Sequence, residues 1–168
     1  VYYVKLNADM ISYDKSIGKN GIVAVEMTAE AFGEKQIPDG RKFTTYTEGP
    51  WLYKRNGIYY LIYAASGIPE YIAYSTANEI EGPWTYRGYI MERAPQLAFT
   101  NHPGIVDFKG KSYFFYHNQD LPNGGGFRRS VCVEEFEFNP DGTIPLIVPT
   151  KEGIKKSVTN LNPFRRVE

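Results

Sequence analysis

The tetrapeptide Glu-Gly-Pro-Trp occurs twice in the chain, first at residues 48–51 and again at residues 81–84. A glutamic acid held in a pocket can donate a proton to a leaving group, which is the chemistry of a general acid. An acidic residue before Gly-Pro is equally suited to a solvent-exposed turn. The place of each glutamate in the fold decides between these two roles, so the elements around them must be identified first.

The composition of the chain excludes several classes of protein. Its 168 residues include 19 Lys and Arg balanced by 19 Asp and Glu, whereas a nucleic-acid-binding protein normally has a basic excess. No apolar run approaches the roughly 20 residues that cross a bilayer. Cys132 is the only cysteine, so the sequence offers neither an internal disulfide nor a zinc cluster. We therefore expect no nucleic-acid partner and no membrane partner.

Short strands separated by turns are predicted for nearly the whole chain. Aromatic residues make up 15% of it, and most of them are expected in a half-buried sheet rather than stacked on sugar rings. The passage "WLYKRNGIYYLIYAAS" has Asn-Gly at its centre, which is the strongest short-range hairpin signal. Lys-Gly holds the same place in "IVDFKGKSYFFYHN". Residues 29–40 are less regular and predict one helical turn followed by a Pro-Asp-Gly turn.

The two hairpin passages superpose when one is shifted by 53 residues, which places Gly57 on Gly110 and Tyr63 on Tyr116. Two further strand-like runs follow each hairpin: "EYIAYSTA" and "WTYRGYIM", then "RRSVCVEEFEFN" and "TIPLIV". Four strands in about 50 residues are typical of a propeller blade. We therefore predict an all-β fold in which residues 1–150 form about two and a half blades of a β-propeller. Residues 151–168 are predicted to be a closing or linker segment.

Position within a blade separates the two glutamates. The first strand of each propeller blade lines the central channel, and its start faces one mouth of that channel. Glu48 comes just before the innermost strand of its blade, whereas Glu81 lies between the third and fourth strands, at the rim. We therefore take Glu48 as the candidate acid and Glu81 as a turn residue.

A histidine is predicted to lie beside this candidate acid. The 53-residue shift places Asn101 on Glu48 and His102 on Gly49. A carboxyl group and an imidazole would then occupy matching points of adjacent blades. The alternative for His102 is a structural histidine with satisfied hydrogen bonds.

Other polar residues of the second unit are weaker candidates. Arg129 could bind a hydroxyl or a carboxylate with its guanidinium group, whereas Arg128 is interpreted as a surface residue. The pair His117 and Asn118 could bracket the same pocket or be structural. Asp107, inside a strand, is not assigned to catalysis. The aspartates in turn-like surroundings are not assigned either: Asp9, Asp14, Asp39, Asp120 and Asp141.

Four segments resemble glycoside hydrolase family 43, whose five-bladed β-propeller enzymes act on xylan and arabinan side chains. They are "YTEGPWLYKRNGIYYLIYA", "EIEGPWTYRGYI", "TNHPGIVDFKGKSYFFYHN" and "FRRSVCVEEFEFNPDGTI", which together span residues 46–144. The opening "YYVKLNADMIS" is similar to the region just after the family's second catalytic aspartate. The ending "EGIKKSVTNLNPFRRVE" resembles the segment that joins this domain to a carbohydrate-binding module in several members.

Matched residue by residue, the resemblance places the family's general acid on Glu48. The channel histidine, which in many members helps to hold a calcium ion or its waters, falls on His102. The pocket arginine falls on Arg129, because this residue directly precedes "SVCV". The resemblance thus implies the C-terminal part of a β-xylosidase or α-L-arabinofuranosidase domain that hydrolyses with inversion.

The resemblance also implies partners for this chain. The family's general base and its pKa-modulating aspartate belong to blades upstream of Val1, so we expect the chain alone to be inactive. An oligo- or polysaccharide substrate, those N-terminal blades and a carbohydrate-binding module are the expected partners, in an extracellular parent protein. The alternative function is a non-catalytic carbohydrate-binding propeller, which would keep the pocket but lack the two upstream aspartates.

Overall fold

Antiparallel sheets account for most of the regular structure in residues 1–154, which are the residues that the computed structural model describes. Residues 155–168, most of the predicted linker segment, lie outside this part. Within it, no helix has the length and apolar character needed to cross a membrane. The elements are β1 (Tyr2–Tyr3), β2 (Val23–Ala24), α1 (Ala29–Phe32), β3 (Glu34–Gln36), β4 (Lys42–Thr44), β5 (Tyr46–Arg55), β6 (Ile58–Ala65), β7 (Tyr71–Ala77), β8 (Thr85–Met91), β9 (Gly104–Phe108), β10 (Lys111–Asn118) and β11 (Ser130–Phe136).

The first predicted blade is a four-stranded sheet in the order β5-β6-β7-β8, with every neighbouring pair antiparallel. The β5–β6 turn has φ values of 50° at Asn56 and 83° at Gly57, and the β9–β10 turn has 50° at Lys109 and 77° at Gly110. Positive φ at both central residues is the geometry of a two-residue type I′ hairpin. The predicted equivalence of the two hairpins is therefore confirmed.

Both faces of the first blade are buried, which explains why β6 is almost continuously apolar. Successive side chains of a strand point to opposite faces. Tyr60 and Ile62 pack in a core shared with the second sheet. Leu61 and Tyr63 pack on the opposite side, in a core that includes Phe32 of α1. A blade buried on both sides cannot slip by one residue without exchanging these two sets.

The second blade has three strands in the order β11-β10-β9, so the predicted fourth strand "TIPLIV" is wrong. This segment turns back onto the first blade instead. The Ile147 N–H donates to the Ile90 carbonyl oxygen at 2.7 Å, and the Ile144 N–H donates to the Tyr74 hydroxyl at 3.1 Å. Pro145 lacks the N–H that a central strand would donate, whereas both isoleucines gain burial in the core between the blades.

The first 45 residues contain less strand and one more hairpin than predicted. The expected half blade is reduced to the two-residue strands β1 and β2, which pair with each other. The expected helical turn is present as α1, where Thr28 Oγ1 accepts from the Ala31 N–H at 3.2 Å. The residues after it form the β3–β4 hairpin. The sequence analysis missed this hairpin because its polar, exposed residues have no apolar alternation.

The inner strands of the two blades, β5 and β9, lie side by side and are joined by polar contacts. Trp51 Nε1–H donates to the Ile105 carbonyl oxygen at 3.1 Å. The Tyr53 hydroxyl donates to the Asp107 carboxylate, and Arg55 Nε lies 3.5 Å from the same group. Asp107 therefore bridges the blades. These contacts bring the starts of β5 and β9 together, as the 53-residue shift predicts.

Removing the Tyr74 hydroxyl should destabilise the protein because the buried Ile144 N–H would lose its acceptor. We expect Tyr74→Phe to lower the free energy of unfolding by about 1–3 kcal/mol, measured from the urea midpoint at constant m value. The control is Tyr59→Phe, which removes a hydroxyl that accepts from Lys54 Nζ at an exposed site. Its effect should stay within about 0.5 kcal/mol. Equal losses of unfolding free energy in the two variants would contradict the packing of residues 143–148 onto the first blade.

Candidate functional site

Strand register brings Glu48 and its neighbours to one end of the first blade. Glu48 is paired with Ala64, Ala64 with Ile72, and Ile72 with Met91. The start of β5 and the start of β7 therefore share an edge of the sheet. The β5 register is irregular on both sides of Glu48, and such bulges redirect side chains near functional sites.

Glu81 lies at the opposite end of the same sheet. It belongs to the turn between β7 and β8 and is exposed. The Gly82 N–H donates to the Glu79 carbonyl oxygen at 3.0 Å and closes that turn. The turn position of Glu81 is as predicted, whereas Glu48 lies inside β5, close to its start, rather than just before the strand.

Glu48 and His102 form the contact that the 53-residue shift predicts. His102 Nε2 lies 3.4 Å from Glu48 Oε1, and the two side chains are 38% and 50% exposed. The Nε2 atom makes no hydrogen bond within residues 1–154, so the contact is one of proximity rather than a hydrogen bond. Gly49 has φ of 60°, and a Cβ added there would lie 2.9 Å from the His102 ring. The missing side chain of Gly49 thus makes room for the imidazole.

A second carboxyl group, Glu70, lies beside this pair and was missed by the sequence analysis. It is 2% exposed, and one oxygen or nitrogen from each of Glu48, Glu70 and His102 lies within 4.8 Å of the others. Burial raises the pKa of Glu70, and the negative charge of Glu48 raises it further, against the hydrogen bond from Asn101. The sequence position of Glu70 could have identified it, because it lies one residue before β7, at the end of the sheet where Glu48 lies.

Asn101 connects the site to the second blade. It is fully buried, its N–H donates to Glu70 Oε2 at 2.9 Å, and its Oδ1 accepts from the His117 N–H at 2.8 Å. The ring centres of His117 and His102 are 6.3 Å apart. The pKa of His117 is lowered by burial and, to a smaller extent, by the charges of Arg129 and His102. Burial therefore disfavours the charged form of this imidazole.

The other candidate residues of the sequence analysis are Arg129, Arg128 and Asn118. Arg129 Nη1 donates to Thr100 Oγ1 at 3.4 Å, which places its guanidinium next to the loop that carries Asn101. Arg128 is exposed, and its N–H donates to the Gly125 carbonyl oxygen at 2.9 Å, as expected of a surface residue. Asn118 contacts Asp120 on an exposed loop and is not part of the Glu48 group.

The arrangement can support two kinds of chemistry. An accessible carboxyl group beside a buried one is suited to carrying and donating a proton. The same groups could attract a cation, since Glu70 Oε1 and His102 Nε2 are buried without a hydrogen-bond partner in the described residues. Carboxylate oxygens suit calcium, which is a hard cation with oxygen ligands, so the imidazole would fit as the holder of a calcium-bound water rather than as a ligand.

Comparison with known proteins shows the same family along most of the chain. The family described as glycosyl hydrolases family 43 matches residues 1–144. The xylosidase/arabinosidase 43A of Humicola insolens is 34% identical over 140 residues, which are 83% of this chain and 40% of that protein. The structure of the RS223 β-xylosidase is similar with a TM-score of 0.64 and 31% identity, over 86% of this chain and 42% of that one.

A second solved structure is similar over a shorter length. It is CoXyl43, a family 43 β-xylosidase/α-arabinofuranosidase from a compost microbial metagenome, in complex with xylotriose and in a calcium-free form. It has 44% identity and a TM-score of 0.55, over 61% of this chain and 30% of that one. The solved relatives are five-bladed β-propellers. The chain spans about a third of the length of the curated relatives it matches.

Filling the space between Gly49 and His102 should cost more than the backbone strain alone. Gly57→Ala places a side chain at φ 83° with no atom within 4 Å of its Cβ, so we expect a loss of about 1 kcal/mol in unfolding free energy. Gly49→Ala should lose about 1–3 kcal/mol more because its Cβ meets the imidazole. Urea unfolding measures both losses, and NMR signals of the His102 ring should shift only in Gly49→Ala. Equal losses without a ring shift would contradict the contact.

Proposed function

The chain belongs to glycosyl hydrolase family 43, and from this membership we propose that its parent enzyme hydrolyses xylosidic or arabinofuranosidic bonds with inversion. The observation that carries the proposal is Glu48 at the start of the inner strand, accessible to solvent and 3.4 Å from His102. Relatives named as xylosidase/arabinosidase and arabinoxylan arabinofuranohydrolase support xylan- and arabinan-type substrates.

In the proposed reaction Glu48 is the general acid. The bond between the anomeric carbon and the glycosidic oxygen breaks, and the proton of Glu48 goes to that oxygen to release an alcohol. Water attacks the opposite face of the anomeric carbon and gives its proton to a second carboxylate. Glu48 then regains a proton from solvent, and the second carboxylate releases to solvent the proton that it accepted. The sugar product is a hemiacetal of inverted configuration.

The second carboxylate is not Glu70. An inverting pair is separated by about 6.5–9.5 Å so that water fits between its members, whereas Glu70 and Glu48 approach within 4.8 Å. Glu70 is also buried, so a water molecule cannot approach it from a bound sugar. We assign the base and the pKa-modulating aspartate to other blades of the parent enzyme.

An exposed apolar face supports the presence of such blades. Val106, Phe108, Phe115 and Val131 of the second sheet are exposed, with Val131 at 71%. Exposed apolar groups on one face of a sheet are typical of a surface that another sheet covers. In our proposal a neighbouring blade of the same propeller packs there and completes the channel around Glu48.

Arg129 and His102 are assigned to substrate binding. Arg129 is exposed beside the loop of residues 99–102, where its guanidinium can donate two parallel hydrogen bonds to sugar hydroxyls. The His102 side chain is 38% exposed next to Glu48. His102 therefore lies beside the proposed acid, and Arg129 lies beside the loop that carries His102.

Calcium is the proposed metal, held near His102 through a bound water. A relative was solved in a form named calcium-free, and Glu70 Oε1 and His102 Nε2 are buried without a hydrogen-bond partner in residues 1–154. Bound calcium would supply a fixed positive charge in the channel. Glu48 is not assigned as its ligand, because a coordinated carboxylate could not donate a proton.

Replacing the proposed acid should lower turnover according to the leaving group. In the full-length enzyme, Glu48→Gln should reduce kcat on xylo- or arabino-oligosaccharides by about 10²–10⁴-fold. An aryl glycoside with a very good leaving group needs little protonation, so its loss should be much smaller. Steady-state kinetics on both substrates measures the difference.

The control is Glu81→Gln, which makes the same chemical change in the same tetrapeptide at the exposed rim turn. It should leave both rates unchanged. Near-normal oligosaccharide turnover by Glu48→Gln would reject the acid role. Oligosaccharide binding without hydrolysis by the wild-type enzyme would instead favour the carbohydrate-binding propeller.

Calcium uptake is tested separately on the EDTA-treated enzyme. Isothermal titration should show one saturable calcium site, and His102→Ala should weaken it by about 10–100-fold, as expected when a group that orders metal-bound water is lost. Glu81→Gln should bind calcium like the wild type. Absence of uptake by the wild-type enzyme would reject the calcium proposal and leave the acid role of Glu48 unaffected.

A further inference from the structure

Glu70 is a carboxyl group in a place where carboxyl groups are rare. It is 2% exposed and lies in the connection that leads into β7. Glutamate is almost never fully buried unless a partner compensates for the water that it loses. The contacts of Glu70 must therefore explain why this position is a glutamate rather than an apolar residue.

One part of Glu70 clamps the loop that leads into β9. Its N–H donates to the Phe99 carbonyl oxygen at 2.9 Å, and its Oε2 accepts from the Asn101 N–H at 2.9 Å. Two hydrogen bonds to residues two positions apart fix both the distance and the rotation of this loop. His102 is the next residue, so its approach to Glu48 depends on the clamp.

The other part of Glu70 is free. Its Oε1 is buried and has no hydrogen-bond partner in residues 1–154. The carboxyl group of Glu48 approaches to within 4.8 Å. A proton shared between the two carboxyl groups would give Oε1 the partner that it lacks.

A purely structural buried glutamate looks different in this protein. Glu134 is 6% exposed, and both of its oxygens are occupied. Oε1 accepts from the Tyr116 hydroxyl at 2.9 Å and from the Thr150 N–H at 2.7 Å, and Oε2 lies 3.1 Å from Thr150 Oγ1. Glu134 therefore joins two segments with both oxygens hydrogen-bonded, whereas Glu70 keeps one buried oxygen without a partner in residues 1–154, next to the candidate acid.

We propose that Glu70 is a positioning residue for the proton donor, which holds the loop of residues 99–102 with one oxygen and orients the Glu48 carboxyl group with the other. This inference rests on the proposed function. It assigns to Glu70 no contact with substrate, because the side chain is buried. It also explains why a second carboxyl group is kept too close to Glu48 to act as the base.

The test is a leaving-group comparison in the full-length enzyme. Glu70→Gln keeps an amide oxygen to accept from the Asn101 N–H, but its NH₂ would donate to Glu48 and stabilise the ionised form that cannot act as an acid. We expect kcat on oligosaccharides to fall by about 10–100-fold, with a much smaller loss on the activated aryl glycoside and little change in KM.

The matched control is Glu134→Gln, which alters a buried glutamate outside the Glu48 group. Any loss of activity in this variant should be equal on the two substrates, because it would reflect the amount of folded enzyme. An equal loss on both substrates in Glu70→Gln would likewise overturn the positioning role. Repeating the assays with EDTA and with calcium separates this role from metal binding, since the leaving-group dependence should persist in both.

The outcomes for Glu48 and Glu70 are separable. If Glu48→Gln shows no leaving-group dependence, the proposed function fails whatever Glu70 does. If Glu48→Gln shows it and Glu70→Gln does not, only the positioning role is overturned. Glu70→Asp carries the same test if the Gln variant does not fold, because its shorter side chain cannot reach Asn101 and Glu48 together. Failure of both variants to fold would assign Glu70 to the fold alone and would overturn the inference.

Discussion

The hydrogen bond from the Asn101 N–H to Glu70 Oε2 joins the two blades where their inner strands begin. Asn101 extends the connection, since its Oδ1 accepts from the His117 N–H of β10. Glu70 and Asn101 are buried, and a buried polar group must keep its hydrogen-bond partners. The loop that carries His102 is therefore tied to both sheets, and the distance between His102 and Glu48 follows from this tie.

Two neighbouring glutamates differ in burial, and in our proposal this difference separates their roles. Glu48 is accessible and can exchange its proton with a ligand, whereas burial keeps Glu70 from solvent and raises its pKa.

The aromatic residues serve the fold that holds this site. Tyr60, Tyr63, Tyr74 and Tyr116 are among the largest fully buried side chains, as expected for a half-buried sheet rather than for sugar stacking. Their hydroxyl groups also bond distant segments: Tyr60 donates to the Gly142 carbonyl oxygen at 2.7 Å, and Tyr74 accepts from the Ile144 N–H. The segment that was expected to complete the second blade thus becomes a connection between the blades.

The sequence by itself determined most of the longer strands, the two repeated hairpins and their shift of 53 residues, and from that shift the proximity of Glu48 and His102. These features follow from local patterns, since period-two alternation and Asn-Gly turns act within a few residues. Only the tertiary structure decided that Glu70 lies next to Glu48 and that residues 143–148 leave the second sheet. Both depend on how two sheets are placed against each other. This placement comes from packing between side chains far apart in the chain, which no local pattern encodes.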